Sequence, residues 1–374
     1  MKKQIRNIAI ILFVILFGSY LFIWGGNRLL QSGAEIFFFP GMTYVSEQKE
    51  ENQMSFSWAE VVFPLYQYAK EHAPISSDVE DLLTYELILG QQANDEYSMS
   101  EDLKSEGNGS SETVSQSTVK SEISLEKFKD FNELLSKFYT VDSTTTIGPD
   151  QLNVNDLMSK SMKINQKKDG PKVLIFHTHS QEEFRDSVKG DSSTTIVGVG
   201  KYLAEKLNKK GIETMHHDGV YDLIGGKLDR SKAYQMAEKG VKEILNQNPS
   251  IEVVIDLHRD GVPENMHLVT TVDGKKAAKI MFFNGLSRTK SNGDIAYLKN
   301  PYIQDNLSFS FQMQLASESM YPGLARRIYL KGYRYSLHMM PKSLLIEAGA
   351  QTNTVKELKN AMDLLANVLA EVLL

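Results

Sequence analysis

Three apolar runs end, at their carboxyl sides, in residues that bind metals or move protons: VLIFHTHSQE from Val173, VVIDLH from Val253 and SLLIE from Ser343. Buried parallel strands read as continuous aliphatic and β-branched runs, and open α/β sheets gather ligands beyond the carboxyl ends of their strands. Two histidines and two glutamates are therefore expected to converge on one spot. His179 and Glu182 form an H-x-x-E pair just past the first run, a spacing at which one turn brings imidazole and carboxylate to the same side. His258 closes the second run as a distant third ligand, with Asp256 two positions earlier on the same strand face. A His, Glu, His set is the ligand chemistry of catalytic zinc, which keeps a fourth position open. Glu183 is the alternative carboxylate, and His177 reads as a structural or supporting residue facing the core. Any one of these histidines, taken singly, reads as an ordinary satisfied core residue; the set is what points to a metal.

Zinc held this way brings the pKa of a water to about 7 and polarises a carbonyl, which opens direct attack on an amide without a covalent intermediate. Such a reaction still needs a base, and Glu347, at the carboxyl end of Leu344-Leu345-Ile346, is the candidate. Arg259 and Asp260 follow the third ligand directly, placed either to hold a substrate carboxylate and to orient an imidazole or to form a structural pair. Arg230, in LDRSKAYQMA, and His338, before the last strand, are further candidates for substrate or supporting contacts. His216 and His217 follow an inner strand on another loop and read as surface residues.

The elements that must position these groups begin at Pro171. A strand over 172–177 leads to a helix over 194–209 that stops at Gly211, a strand over 212–217 to a helix over 229–247, and Pro249 to a strand over 251–257. This βαβαβ pattern predicts an α/β fold, a mostly parallel twisted sheet with helices on both faces. A hairpin is expected from 267–272 and 278–283 around Asp273-Gly274, helix over 305–330 with a break near Pro322, a last strand at 343–347 and a closing helix from Thr354.

The remainder of the 374 residues is of a different character. Residues 7–27 carry no charge and follow Lys2, Lys3 and Arg6. As a helix that run spans roughly 30 Å, a bilayer core, and the flanking charges favour a cytoplasmic amino terminus for residues 1–6. A cleaved signal peptide is the alternative. Residues 28–92 read as a membrane-proximal helical segment and 93–123, rich in Ser, Glu, Gly and Lys, as a flexible linker. A lead-in over 124–169 opens with a helix capped by Ser124, and 170–374 forms the catalytic domain. The absence of cysteine removes disulfides, thiolate metal sites and cysteine nucleophiles, and a formal charge of -6 argues against nucleic acid as a partner.

HTHSQEEF, DLHRDG and SLLIEAGAQTNT, preceded by FYTVDSTTT, together resemble the stage II sporulation protein P family from about Phe138 to the carboxyl terminus. More distantly the layout is similar to zinc-dependent N-acetylmuramoyl-L-alanine amidases of the third amidase class, and LDRSKAYQMA to their L-x-x-R-x-x-x-A helix. In those amidases the glutamate ligand lies well downstream of the first histidine, whereas here it is three residues on. The resemblance implies a zinc-dependent peptidoglycan hydrolase that cuts the amide between the muramic-acid lactyl group and L-alanine, with endopeptidase activity on cross-links besides. It also implies a role in engulfment, at the septal or forespore membrane, with a lytic transglycosylase and a polytopic membrane protein as partners. A zinc carboxypeptidase using Arg259 as its clamp and a non-catalytic, membrane-anchored wall-binding scaffold are the competing readings.

Overall fold

A computed structural model describes residues 124–374; the apolar run at 7–27, the segment at 28–92 and the linker at 93–123 lie outside the described residues. Among the described residues no helix is long and apolar enough to cross a membrane. Seven strands form one sheet: β1 (Tyr139–Val141), β2 (Val173–Phe176), β3 (Thr214–His216), β4 (Val253–Asp260), β5 (Ile280–Gly285), β6 (Ile328–Lys331) and β7 (Ser343–Ala350). Their order across the sheet is β1-β6-β5-β7-β4-β2-β3. Every neighbouring pair is parallel except β5 with β7. The main helices are α1 (Phe131–Phe138), α2 (Val154–Ser159), α3 (Ile196–Lys209), α4 (Ala233–Gln247), α5 (Ile303–Met320) and α6 (Val355–Leu373).

The mostly parallel α/β sheet is thus as expected, and several local expectations are corrected. The hairpin closes sooner, pairing Val269–Val272 with Lys275–Ala278 through Asp273 and Gly274, both at positive φ. That frees Ile280–Gly285, buried at every position, to enter the middle of the main sheet, where both of its edges find partners. Beyond the break near Pro322 the chain forms β6 rather than more helix. The first α-helix is capped by Asp130, which accepts the N–H groups of Asn132 and Glu133, and not by Ser124, because residues 126–129 first make a 3-10 turn. The closing helix does start at Thr354, in a capping box with Glu357. Residues 124–169 contribute the edge strand β1 and the core residues Leu134, Phe138, Leu152 and Leu157 to the same fold.

Alternation along the strands sorts the sheet's two faces. Val173, Ile175, Val253, Ile255, Leu257, Leu344 and Ile346 face the main core with α3, α5 and α6. Leu174, Phe176 and Val254 face α4, whose Ala233, Ala237 and Val241 recur at helical spacing, and Leu345 joins Met281, Phe283 and Tyr335 on the same side. By the same period of two, Asp256, His258 and Glu347 fall on the α4 face, and the β7–β4 register sets Glu347 directly opposite His258. A one-residue slip would turn every side chain over, and each aliphatic group so exposed forfeits roughly 1.5–3 kcal/mol. The core therefore fixes where these two polar residues point.

Candidate metal centre

Strand β2 ends at Phe176, and the chain bends so that His179 and Glu182 meet His258 from the neighbouring strand. Nδ1 of His179 lies 3.5 Å from Oε1 of Glu182, and Nδ1 of His258 lies 3.9 Å from the same oxygen. Ligands of a tetrahedral zinc at ordinary bond lengths stand about 3.4 Å apart. The three are the group among the described residues whose donor atoms lie close enough together to hold one ion. Glu182 is turned inward and its Oε2 accepts the backbone N–H of Arg259 at 2.8 Å, while Glu183 is exposed.

Asp256 ties the two ligand strands together. Its carboxylate accepts the N–H and hydroxyl of Thr178, the residue before the first ligand, at 2.9 and 2.6 Å, and the hydroxyl of Ser336 at 2.8 Å. It also stands 2.7 Å from Nε2 of His258, as an ion contact rather than an aligned hydrogen bond. A carboxylate behind a ligand imidazole fixes its ring and raises its basicity. Burial opposes charge on His258, yet Asp256 and Glu182 outweigh it and hold the imidazole's pKa well above the ordinary range. Burial likewise opposes charge on Glu182, which His179 and His258 overcome, holding it well below the carboxylate range. Burial, with His258 and Arg230 adding to it, lowers the pKa of His179. The field at this corner is that of a site for positive charge.

The set opens on a cavity of about 50 Å³, walled also by Glu347, Arg230, Arg259, Tyr234 and Tyr335, room for an ion and a few waters. Buried Nε2 of His179 and Oε2 of Glu347 have no hydrogen-bond partner. Buried polar atoms without partners are exceptions, and that of Glu347 lies in a residue lining one cavity with the donor set of His179 Nδ1, Glu182 and His258 Nδ1, so the residues fit a metal ion. Burial raises the pKa of Glu347 to about 8, Asp260 and Glu182 add to this, and His258 and Arg326 oppose it. Positive charge among the three ligands would draw it back towards neutrality, the range of a proton-transfer group. Between Glu347 and Ala350 the strand bulges by one residue, and Gly349, at φ +60°, makes the kink. Such bulges aim side chains beside functional sites.

The other candidates divide. Arg230 reaches the site, with Nη2 3.6 Å from Oε1 of Glu182. Arg259 lines the cavity but donates Nε–H to the carbonyl of Glu183 and Nη1–H to that of Asp260. Asp260 pairs with Arg326 at 2.6 Å. His338 is not at the cavity; its Nε2 lies 3.1 Å from Glu238, which also holds Arg334 at 3.0 Å. These contacts and that of Ser336 clamp the backbone on both sides of Tyr335, a tyrosine at φ +51°. That conformation costs on the order of 1 kcal/mol or more, and strained residues of this kind collect at functional sites. His177 points to the opposite face, where Nδ1 meets the carbonyl of Leu257 at 2.7 Å and Nε2 meets Nε2 of His216 at 3.0 Å. His216 and His217 are consequently half-buried and not surface residues, the latter held by Tyr221 at 2.7 Å. Sequence reasoning missed Tyr234, whose ring lies parallel to that of His258 and edge-on to that of His179. Its spacing of four from Arg230, one helical turn, was the available signal.

The profile of the family described as stage II sporulation protein P matches residues 66–370. Stage II sporulation protein P of Bacillus subtilis (strain 168) is 26% identical over 230 residues, covering 55% of this chain and 54% of the relative, so the match spans about half of that protein's length. Among solved structures, the CwlD amidase of Clostridioides difficile in complex with the GerS lipoprotein is similar at 18% identity, with 53% of this chain and 94% of that chain covered and a TM-score of 0.32. An N-acetylmuramoyl-L-alanine amidase of Clostridium difficile 630 is also 18% identical, covering 55% of this chain and 95% of its own, with a TM-score of 0.33.

Proposed function

The chain belongs to the stage II sporulation protein P family, and from that premise we propose that it is a zinc-dependent peptidoglycan hydrolase that cleaves the N-acetylmuramoyl-L-alanine amide. The observation that carries the reading is the convergence of His179, Glu182 and His258 with Glu347 on one cavity. Zinc held by the three would polarise the amide carbonyl and acidify a water. Glu347 takes the proton of the attacking water and returns it to the leaving amine. Asp256 holds the ring of His258, and the N–H of Arg259 holds Glu182, in the orientation in which they would ligate the metal. Tyr234 and Tyr335 exclude water from one side of the cavity, and Arg230 and Arg259 give its rim a positive charge suited to an acidic stem peptide.

The same reading makes residues 7–27 a membrane anchor and places the catalytic domain outside the cytoplasm, in septal wall remodelling during engulfment. A lytic transglycosylase and a polytopic membrane protein are its proposed partners, and peptide cross-links its second substrate. Because Nε and Nη1 of Arg259 are engaged with backbone carbonyls, nothing favours the carboxypeptidase alternative. The test is zinc stoichiometry of the purified chain together with product analysis of digested sacculi. One zinc per chain and stem peptides released from intact glycan are expected; loss of terminal residues alone, or no zinc, would overturn the reading.

A further inference from the structure

We propose that Asp222 is a positioning residue for the metal centre, holding the loop between His179 and Glu182 in ligating form; the inference rests on the zinc reading above. Asp222 is completely buried, and its two carboxylate oxygens accept from the two residues that separate the ligands: the hydroxyl of Ser180 at 2.7 Å and the N–H of Gln181 at 3.1 Å. A carboxylate buried away from water is costly unless its acceptors are used, and here they are used on this loop. Gln181 reinforces the contact by donating its side-chain N–H to the Ser180 hydroxyl at 2.9 Å.

The other end of Asp222 reaches the arginine arm. Its backbone carbonyl accepts the N–H of Asp229 at 2.9 Å, closing the short hairpin of Leu223–Ile224 with Lys227–Leu228. Asp229 in turn accepts the N–H and hydroxyl of Ser231 at 2.9 and 2.6 Å, and Arg230 stands between them. One residue therefore sets both the ligand loop and the arm that carries Arg230 to 3.6 Å from Glu182. An asparagine is the informative replacement. Near-equal in shape, it offers one oxygen and one NH2, so either the Gln181 N–H meets a donor, or the Ser180 hydroxyl must turn round to accept, which orphans its own hydrogen and loses the charge-assisted tie. The loop then has one of its two ties broken or weakened, and positions around a metal ligand of this kind carry about 10–100-fold in affinity.

The experiment measures zinc affinity of the full chain by competition with a chromophoric chelator, alongside the melting temperature in excess EDTA. Asp222→Asn is expected to weaken zinc binding about 10–100-fold, and Ser180→Ala, which keeps the carboxylate and the Gln181 contact, by a smaller factor. A residue that only stabilises the fold would lower the melting temperature in EDTA and leave the affinity of the folded protein as it was. Zinc affinity within about twofold of wild type in Asp222→Asn overturns the proposal; should that variant not fold, the same result in Ser180→Ala does so. His258→Ala is the control that separates the two levels. Wild type that takes up no more zinc than this control overturns the metal reading itself, whereas wild type that binds while the Asp222 and Ser180 variants bind equally well overturns only the clamp.

Discussion

Two pairs of histidines stand on opposite faces of the same sheet, one strand turn apart. His179 and His258 meet on the α4 face with ring centroids 4.8 Å apart, and His177 and His216 meet on the other face at 5.3 Å. Both pairs involve buried rings, and burial lowers His179 as it lowers the second pair, yet only the first contains an imidazole whose pKa is raised. Asp256 and Glu182 hold His258 well above the ordinary pKa, whereas burial pushes His177 down to about 3 and His216 to about 4. Residue type and burial do not set His258 apart from the other three; two carboxylates, Asp256 and Glu182, against one imidazole do. The first pair is built to stand beside positive charge. The second is a neutral hydrogen-bonded couple, one ring donating to the Leu257 carbonyl and accepting from the other.

The comparison breaks most sharply under alanine. His258→Ala is expected to abolish zinc binding and to lower release of stem peptides by roughly a thousandfold or more, since the water-activating ion is lost. His177→Ala is expected to keep one zinc per chain and to lose roughly 2–4 kcal/mol of stability through the cavity and the orphaned carbonyl of Leu257. Metal analysis and thermal melts of the two proteins give the answer; zinc loss in His177→Ala would make the two pairs one site.

A second substitution separates metal binding from chemistry on the α4 face. Glu347→Gln keeps the cavity's shape and the three ligands, so zinc content should stay at wild-type level while turnover of sacculi falls about 10²–10⁴-fold, the usual weight of a positioned acid–base group. Turnover above a tenth of wild type would remove Glu347 from the reaction. Asp256→Asn probes the carboxylate that distinguishes the pairs. It is expected to weaken zinc about 10–100-fold by calorimetric or chelator titration, since the imidazole of His258 loses its charged partner and Thr178 one of its acceptors.

What the sequence discloses of this arrangement follows from local rules. His179, His258 and Glu347 are legible because each closes an apolar run, and Asp256 because a period of two puts it on the face of His258. The central place of Ile280–Gly285 is not legible, since a strand buried on both edges and a hairpin arm share one apolar pattern. Tyr139–Val141 and Ile328–Lys331 are three- and four-residue strands whose pairing is made across nearly two hundred positions of chain. Asp222 and Tyr335 are legible only in three dimensions, because their meaning lies in partners 42 and 80 residues away from their neighbourhoods. His216 looked superficial because nothing in its own run announces that His177 projects towards it.

The smallest effect is expected from the neutral pair, and it is a matter of pH. An unfolded histidine titrates near 6.5, whereas folded His216 is lowered to about 4, by burial first and then by His217 and Lys201 against the pull of Asp218. Between those values the unfolded chain binds more protons than the folded one, so stability rises with pH across the window. This contribution is whole above about pH 6.5 and is lost as the pH falls towards 4. His216→Gln removes the titration while an amide N–H can still donate to Nε2 of His177. Melting temperatures of the metal-free wild type and variant, compared at steps from pH 7.5 to 4.5, should therefore diverge, the variant losing stability with a slope shallower by up to about one proton. Parallel slopes would mean that His216 is protonated in the folded protein without penalty, and the two histidine pairs would then differ in their neighbours but not in their charge.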